Sequence, residues 1–468
     1  APNILFWSPE QRAAGFPSIE RFYPVRRVEQ SVSALPLVTK KLSQDRLNGF
    51  EYRFDLLNEE TVVSGGVAGY MKRMPTAGLI AVQGRDVLLE RYSLGHQMDK
   101  RWISFSVTKS VVSLLVGAAI KDGYIKSAND KAVVYLPELR GGSYQDSRIK
   151  DLLQMSSGVA WNEDYDNPAS DIVKAPVVGM PLVRYMSDLP RTGKTGTVWN
   201  YNTNETNLIG EILSRAIDQD LSVYLENKIW HPYGMESEAN WMLTYQNGLE
   251  YGGCCLSATL RDYARLGLFV LDELKKAPND DSVLPPGWMK ESLSPAQAFN
   301  GYGYFWWLNG KPYYMLPSSQ FQFNGKLNSN APDDLYVALG KNGQSLNIVP
   351  SQNMVWIRMG ESPYNTPVLA NYNNQIWSYI NELNCNSSDI NPSNLNNLKF
   401  HPNPVENFLS VEGDFSEHFN YSIHSQLGEK IDFGKLSNRI DFSTIKTGLY
   451  IVKISNQKQH KLIKILKN

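Results

Sequence analysis

The sequence predicts an α/β body built on an antiparallel sheet, followed by a small β-sandwich. Three observations carry this. "SVTKSVVSLLVGAAIKDG" at 106–123 has a helix-start serine, a long apolar run and a terminal Gly, the pattern of a buried helix. "YVALGKNGQSLNIVPSQNMVWIRMG" at 336–360 alternates apolar and polar residues around Gly and Pro, the pattern of two adjacent strands. Between 384 and 398 the composition changes abruptly, and residues 399–468 are rich in short β-type runs.

The 468 residues exceed one compact core, and domains of roughly 100–200 residues allow two or three. Hydrophobic residues at 42% and aromatics at 11% mark an ordered globular chain. A formal net charge of -1 leaves no electrostatic footprint for nucleic acid. The most apolar stretch, "VVSLLVGAAI" at 111–120, is about half of the roughly 20 residues that cross a bilayer, so no membrane span is expected. The opening "APNILFW" has neither an initiator Met nor a basic segment running into a hydrophobic one, so no signal peptide is expected within it.

The break, "NCNSSDINPSNLNNL" at 384–398, takes nine of its fifteen residues from Asn and Ser and reads as a linker. This gives a body at 1–383 and a terminal domain at 399–468. In the latter, "NFLSVEG", "YSIHS", "RIDFST", "GLYIVKIS" and "KLIKILKN" recur at regular spacing between Gly, Asn and Asp, which predicts a small sandwich.

Four of the six histidines lie in that terminal domain, leaving His96 and His231 in the body. His231, in the Pro- and aromatic-rich "IWHPYGM", reads as structural, and His96, in "YSLGHQM", as a surface turn. G-x-S-x-G, H-E-x-x-H and P-loop patterns are absent from the sequence, so neither a metal nor another cofactor is expected. Three cysteines are too few for a disulfide framework, and adjacent Cys254 and Cys255 read as small buried apolar residues, with Cys385 a bystander.

A serine nucleophile without histidine needs another base. Lysine serves if burial or a neighbouring cation lowers its pKa from about 10.4. In Ser106-Val107-Thr108-Lys109 the spacing of three places both side chains on one helical face. A serine at a helix start also meets positive partial charge that favours an oxyanion. On spacing alone the alternative stays open, a Ser cap beside an exposed Lys, because the same spacing occurs at Ser443–Lys446 and Ser455–Lys458.

With its helix, and with "VVYLPEL" and "IKDLLQMSSGVAW" following in order, the segment resembles the nucleophile region of the serine β-lactamase and penicillin-binding superfamily. Over roughly 75–380 it is most similar to family VIII carboxylesterases and 6-aminohexanoate-dimer hydrolases. The resemblance implies a β-lactamase/transpeptidase-like body, a central antiparallel sheet flanked by helices plus a helical subdomain, and makes Ser106 and Lys109 catalytic. It assigns the proton-shuttling tyrosine to Tyr201, because "VWNYNTNETNLIGEIL" matches without gaps. Literal Y-x-N at Tyr165, Tyr245 and Tyr372 lacks those surroundings. Thr203 stands where lactamases have Asn, which puts β-lactam hydrolysis in doubt.

Literal K-T-G at Lys194-Thr195-Gly196 precedes Tyr201, and that at Lys446-Thr447-Gly448 lies in the terminal domain, so neither matches the third family motif. "ALGKNGQSLNIVP" resembles the corresponding strand. It implies that Gly340 allows close approach and that the backbone N–H groups of Ser106 and Lys341 form the oxyanion hole, a one-strand misregister moving the role to Gln344. Gly343 and Gln344 complete the implied substrate-binding strand. "WNEDYDNPASDI" resembles a loop whose tyrosine, here Tyr165, closes over substrate; read by composition it is an acidic surface loop. Trp307, in "YGYFWWLNG" with Tyr302, Phe305 and Trp306, lines an acyl pocket or belongs to the core.

The resemblance implies a hydrolase for small-molecule esters or linear amides. The alternatives are a β-lactamase or D-aminopeptidase acting on peptidoglycan-like substrates, or a penicillin-binding protein without turnover. In the terminal domain "FHPNPVENFLSVEG", "SQLGEKI", "IKTGLYIVKIS" and "HKLIKILKN" resemble the sorting domain of the type IX secretion system of Bacteroidetes. That implies handling by this machinery and a secreted or cell-surface address, reached through the periplasm of a Gram-negative bacterium.

Overall fold

The structure is a computed structural model. It describes residues 3–40, 52–56, 59–63, 66–277, 281–317, 319–362, 376–377, 380, 383, 398–412, 419–425, 430–455 and 460–468. The chain divides into two compact units, Ala1–Asn384 and Cys385–Asn468. Apart from Leu398, the predicted linker lies outside the described residues, as does Cys385.

The first unit is organised by a seven-stranded sheet. Its strands are β1 (Val38–Thr39), β2 (Thr76–Gln83), β3 (Asp86–Tyr92), β4 (Trp307–Leu308), β5 (Tyr336–Gly340), β6 (Gln344–Val349) and β7 (Met354–Gly360). They lie in the order β4-β5-β6-β7-β2-β3-β1, antiparallel throughout except that β1 joins β3 in parallel. The two strands expected within 336–360 are three, because Lys341–Gly343 turns the chain between β5 and β6.

The alternation in β6 is real, yet both of its faces are buried. Its polar side chains are satisfied internally. The amide of Asn347 donates to the Ser345 hydroxyl (3.0 Å) and the Trp356 carbonyl (3.2 Å), as buried polar groups require.

The long helices are α1 (Val107–Lys121), α2 (Thr203–Ile217) and α3 (Leu260–Lys275). Helix α3 packs on β2, β6 and β7, while α1 packs on β5, β6 and α2. The run 107–119 of α1 is buried on every side, which explains why its sequence is apolar all round rather than amphipathic. Each of its fully buried Val and Leu side chains contributes about 1.5–3 kcal/mol. Among the described residues no helix is long and apolar enough to cross a membrane.

A second sheet of four strands runs in the order Val25–Val28, Ala239–Met242, Leu256–Thr259 and Arg101–Ile103. Its last two strands pair antiparallel. The chain end that leads into α1 therefore lies beside the turn at 253–255.

The second unit contains a three-stranded sheet (Lys399–His401, Phe408–Glu412, Arg439–Asp441) and a four-stranded one (Lys430–Lys435, Asn420–Ser425, Gly448–Ser455, His460–Lys467). Leu409, Val411, Ile423, Ile440, Val452 and Ile465, contributed by both sheets, share one core, as in a sandwich. Leu398, at the end of the predicted linker, belongs to that core.

Candidate active site

The strand Arg101–Ile103 ends in a tight turn, Ser104-Phe105-Ser106. Phe105 is left-handed (φ 48°), a sparsely populated conformation that its packing must hold. Its ring is buried and lies 5.1 Å from that of Phe16. The turn is tied to the neighbouring strand, with Ser104 N donating to Leu256 O (2.9 Å) and Leu256 N donating to Thr108 Oγ1 (3.0 Å). These bonds fix the first turn of α1, and with it the relation between residues 106 and 109.

Lys109 Nζ donates to Ser106 Oγ at 2.9 Å and to the carbonyl of Gly253 at 2.7 Å. Lys109 is 1% exposed, and Ser106 makes no side-chain cap bond to α1. The alternative of a capping serine beside an exposed lysine is therefore not the arrangement present. Burial pushes the lysine down to about 8, with the Glu163 carboxylate opposing the shift. A lysine so placed has a substantial neutral fraction at mildly alkaline pH, which a general base requires. Gly253 is held in turn by Asn207, whose Oδ1 accepts from its N–H (2.7 Å), and a Cβ at Gly253 would stand 2.7 Å from Thr203 Cγ2.

Tyr201 precedes α2, whose start is capped by Asn202 accepting from Glu205 N at 3.2 Å. Lys109 Nζ lies 5.3 Å from the centre of the Tyr201 ring. Burial, then Glu163, holds the phenol well above its ordinary value, so the side chain is a neutral phenol rather than a phenolate. Trp307 stacks on it (5.9 Å, 21°), with Tyr302 edge-on to Trp307 at 5.0 Å. Tyr302, Phe305, Trp306 and Trp307 are all buried, and Trp307 is both core and backing for Tyr201.

Gly340 ends β5 against the nucleophile turn, where a Cβ would stand 2.2 Å from Ser104 O. Only glycine permits that approach, and it brings the Lys341 backbone alongside the turn that carries Ser106. The pairing Gly340↔Gln344 closes the hairpin and fixes Lys341 as the first residue of the turn. Gly343 is left-handed (φ 86°) and its carbonyl accepts from Arg358. The Gln344 amide is occupied by backbone: its nitrogen donates to Lys341 O (3.0 Å) and Gly360 O (2.8 Å), and its oxygen accepts from Gly360 N (2.8 Å). Gln344 and Gly343 thus shape the hairpin, and the Gln344 side chain has no polar group turned toward Ser106.

Tyr165 stands on the loop before α2, with its hydroxyl donating to Glu163 Oε1 at 2.6 Å and the Lys341 ammonium 4.5 Å above its ring. Burial lowers the pKa of Lys341. The loop is not simply an acidic surface. Glu163 is buried and accepts from Trp161, Tyr165 and Thr203. Sequence reasoning passed over Glu163, whose one local signal is its place between two aromatic residues in "WNEDY".

Three expectations are corrected. His96 is not in a surface turn but 3% exposed, edge-on to Tyr92 and Trp102, and burial pushes its pKa down to about 4. Cys255 is buried but Cys254 is only half-buried, so one of the two, not both, is the enclosed small residue expected. Within the tail, the sequence run "EKIDFGK" is a strand of its own, Lys430–Lys435, which the regular spacing of the other runs had not included. Lys194 is exposed on a loop, in keeping with its exclusion as a third motif.

Comparison with known proteins places the chain in a family. The Beta-lactamase family matches residues 63–378, and the Secretion system C-terminal sorting domain matches 399–468. A 6-aminohexanoate-dimer hydrolase of Paenarthrobacter ureafaciens is 28% identical over 308 residues, covering 63% of this chain and 73% of that protein. The fold is shared with a putative 6-aminohexanoate-dimer hydrolase from Bacillus anthracis (TM-score 0.61, 18% identity, 79% of this chain and 94% of that one). It is shared too with a putative beta-lactamase from Bacteroides dorei (TM-score 0.52, 17% identity, 67% and 97%). The terminal domain marks the protein for export by the type IX system. With a family match over most of its length, the chain belongs to the Beta-lactamase family.

Proposed function

We propose that the protein hydrolyses small esters or linear amides through an acyl-enzyme on Ser106. The observation that carries the proposal is the 2.9 Å contact between Ser106 Oγ and a buried Lys109 whose pKa is pushed down to about 8. Neutral Lys109 takes the Ser106 proton, directly or through Tyr201, as Oγ attacks the substrate carbonyl. The oxyanion is received by the N–H groups of Ser106 and Lys341, the latter brought close by Gly340. Tyr201, kept protonated by its surroundings, gives a proton to the departing alcohol or amine and regains one from the protonated lysine. Water then enters along the same relay in reverse and releases the acid.

Tyr165 and the wall around Trp307 bound the space in which the acyl and leaving groups lie. The relationship to a 6-aminohexanoate-dimer hydrolase makes a linear amide the first amide to test. The deciding assay runs short p-nitrophenyl esters, an aminohexanoate dimer and a chromogenic cephalosporin in parallel, with Ser106→Ala as control. The expected outcome is turnover of an ester or the linear amide well above that of the cephalosporin, and none in Ser106→Ala. Preferential turnover of the cephalosporin, or activity surviving in Ser106→Ala, overturns the reading.

A further inference from the structure

Glu163 is a buried carboxylate that the mechanism above leaves without a part. It is 2% exposed and saturated with donors. Oε1 accepts from the Tyr165 hydroxyl (2.6 Å) and from Thr203 Oγ1; Oε2 accepts from Trp161 Nε1 and from Thr203 N (3.0 Å). Trp161 Nε1 and Thr203 N are N–H groups, which can only donate. A buried anion persists only where hydrogen bonds and a counter-charge offset its lost hydration.

Both are present. Thr203 is the first residue of α2, and its N–H is one of the donors a helix start leaves unpaired. The positive end of the helix dipole also favours a carboxylate there. Tyr201 is only two residues earlier, so holding Thr203 holds the path of the tyrosine. The charged and titratable groups that sense Glu163 come from every side: Lys109 from α1, Tyr201 from the approach to α2, Lys341 from the β5–β6 hairpin, Tyr302 from the aromatic cluster and Tyr165 from its own loop.

We infer that Glu163 is a positioning residue of the catalytic relay, fixing Tyr201 through Thr203 and serving as the buried counter-charge of Lys109. The inference rests on the serine-hydrolase reading above. Glu163 and Lys109 are linked through neighbours: Thr203 Oγ1 donates to Glu163, Thr203 Cγ2 would stand 2.7 Å from a Cβ at Gly253, and the Gly253 carbonyl accepts from Lys109 at 2.7 Å. Thr203, which replaces the family asparagine, then has a task in which its hydroxyl and its backbone N–H grip the same carboxylate.

The test is the pH dependence of kcat/KM for an ester substrate in Glu163→Gln, Glu163→Asp and Thr203→Val. Lys109 must be neutral to act, so the wild-type enzyme gains activity as pH rises through about 8. Removing the negative charge makes protonated Lys109 less favourable, so in Glu163→Gln this limb moves down by about one pH unit. Glu163→Asp keeps the charge but withdraws it, giving a smaller shift in the same direction. Thr203→Val loosens Tyr201 while leaving the charge in place, so kcat falls about tenfold and the limb stays where it was.

A carboxylate with a merely structural role would lower melting temperature or kcat without moving the limb. The proposal is overturned if the limb stays within about 0.2 pH units of wild type in Glu163→Gln, or in Glu163→Asp should only that variant fold. Ser106→Ala measured alongside separates the two claims. Activity persisting there removes the serine mechanism itself, whereas a silent Ser106→Ala with an unmoved limb removes only the role given to Glu163.

Discussion

Ser106–Lys109 and Ser443–Lys446 have the same residue types at the same spacing, and their surroundings differ in every respect that matters to chemistry. At 106–109 the spacing is read by a helix, so both side chains meet on one face and the lysine is 1% exposed. At 443–446 the chain has just left the strand Arg439–Asp441. The Ser443 N–H donates to Asp441 Oδ1 (2.8 Å), the Lys446 carbonyl accepts from Tyr450 (2.8 Å), and both residues are exposed. An exposed ammonium keeps the hydration that burial strips away. In this pair of sites the spacing brings the two side chains together where a helix imposes it, and only there is the lysine buried.

The comparison is broken most directly by removing each lysine. Lys109→Met is expected to lower kcat/KM for an ester by about 10⁴-fold or more, since a nucleophile and its base act as a unit. Lys446→Met is expected to leave the rate unchanged. Comparable losses in both variants would mean that the buried environment of the first pair has no catalytic consequence.

A smaller effect sharpens the role of burial away from the reacting atoms. Glu205, on α2, is buried; burial pushes its carboxyl up to about 8, with its Oε1 accepting from Tyr144 at 3.1 Å. Its folded pKa lies above the unfolded value of 4.5, so between those pH values the folded state binds the extra proton. Stability from this group is therefore greatest below about 4.5 and is lost as pH rises through about 8. Glu205→Gln mimics the protonated form. It is expected to raise the melting temperature by several degrees at pH 8.5 and hardly at all at pH 4.5, measured by thermal unfolding. An equal shift at both pH values would contradict the assignment.

What the sequence revealed divides along the same line. That Ser106 and Lys109 meet on one helical face was legible from their spacing before an apolar run, whereas Tyr201 was singled out only by the family resemblance of the segment that leads into the second helix. Gly340 was legible because only a residue without a side chain suits a strand end pressed onto another backbone. Glu163 was not, since its decisive partner Thr203 is forty residues away, and three acids among six residues imitate a solvated loop. His96 misled for the converse reason. A Gly-flanked turn suggests exposure, but Tyr92 and Trp102 cover the ring. The two strands expected within 336–360 are three, and the polar residues Gln344 and Asn347 among them are buried and bonded to backbone. In each case the missing information was tertiary.

The central claim is that Ser106 forms the covalent intermediate with Lys109 as its base. The most direct measurement is active-site labelling with a p-nitrophenyl phosphonate, with intact mass and peptide mapping across a pH series. The account predicts one adduct per chain, located on Ser106, formed at a rate that rises with pH around a midpoint near 8. Labelling at Ser443 or another residue, or a rate at Ser106 that does not vary between pH 6 and pH 9, would contradict it.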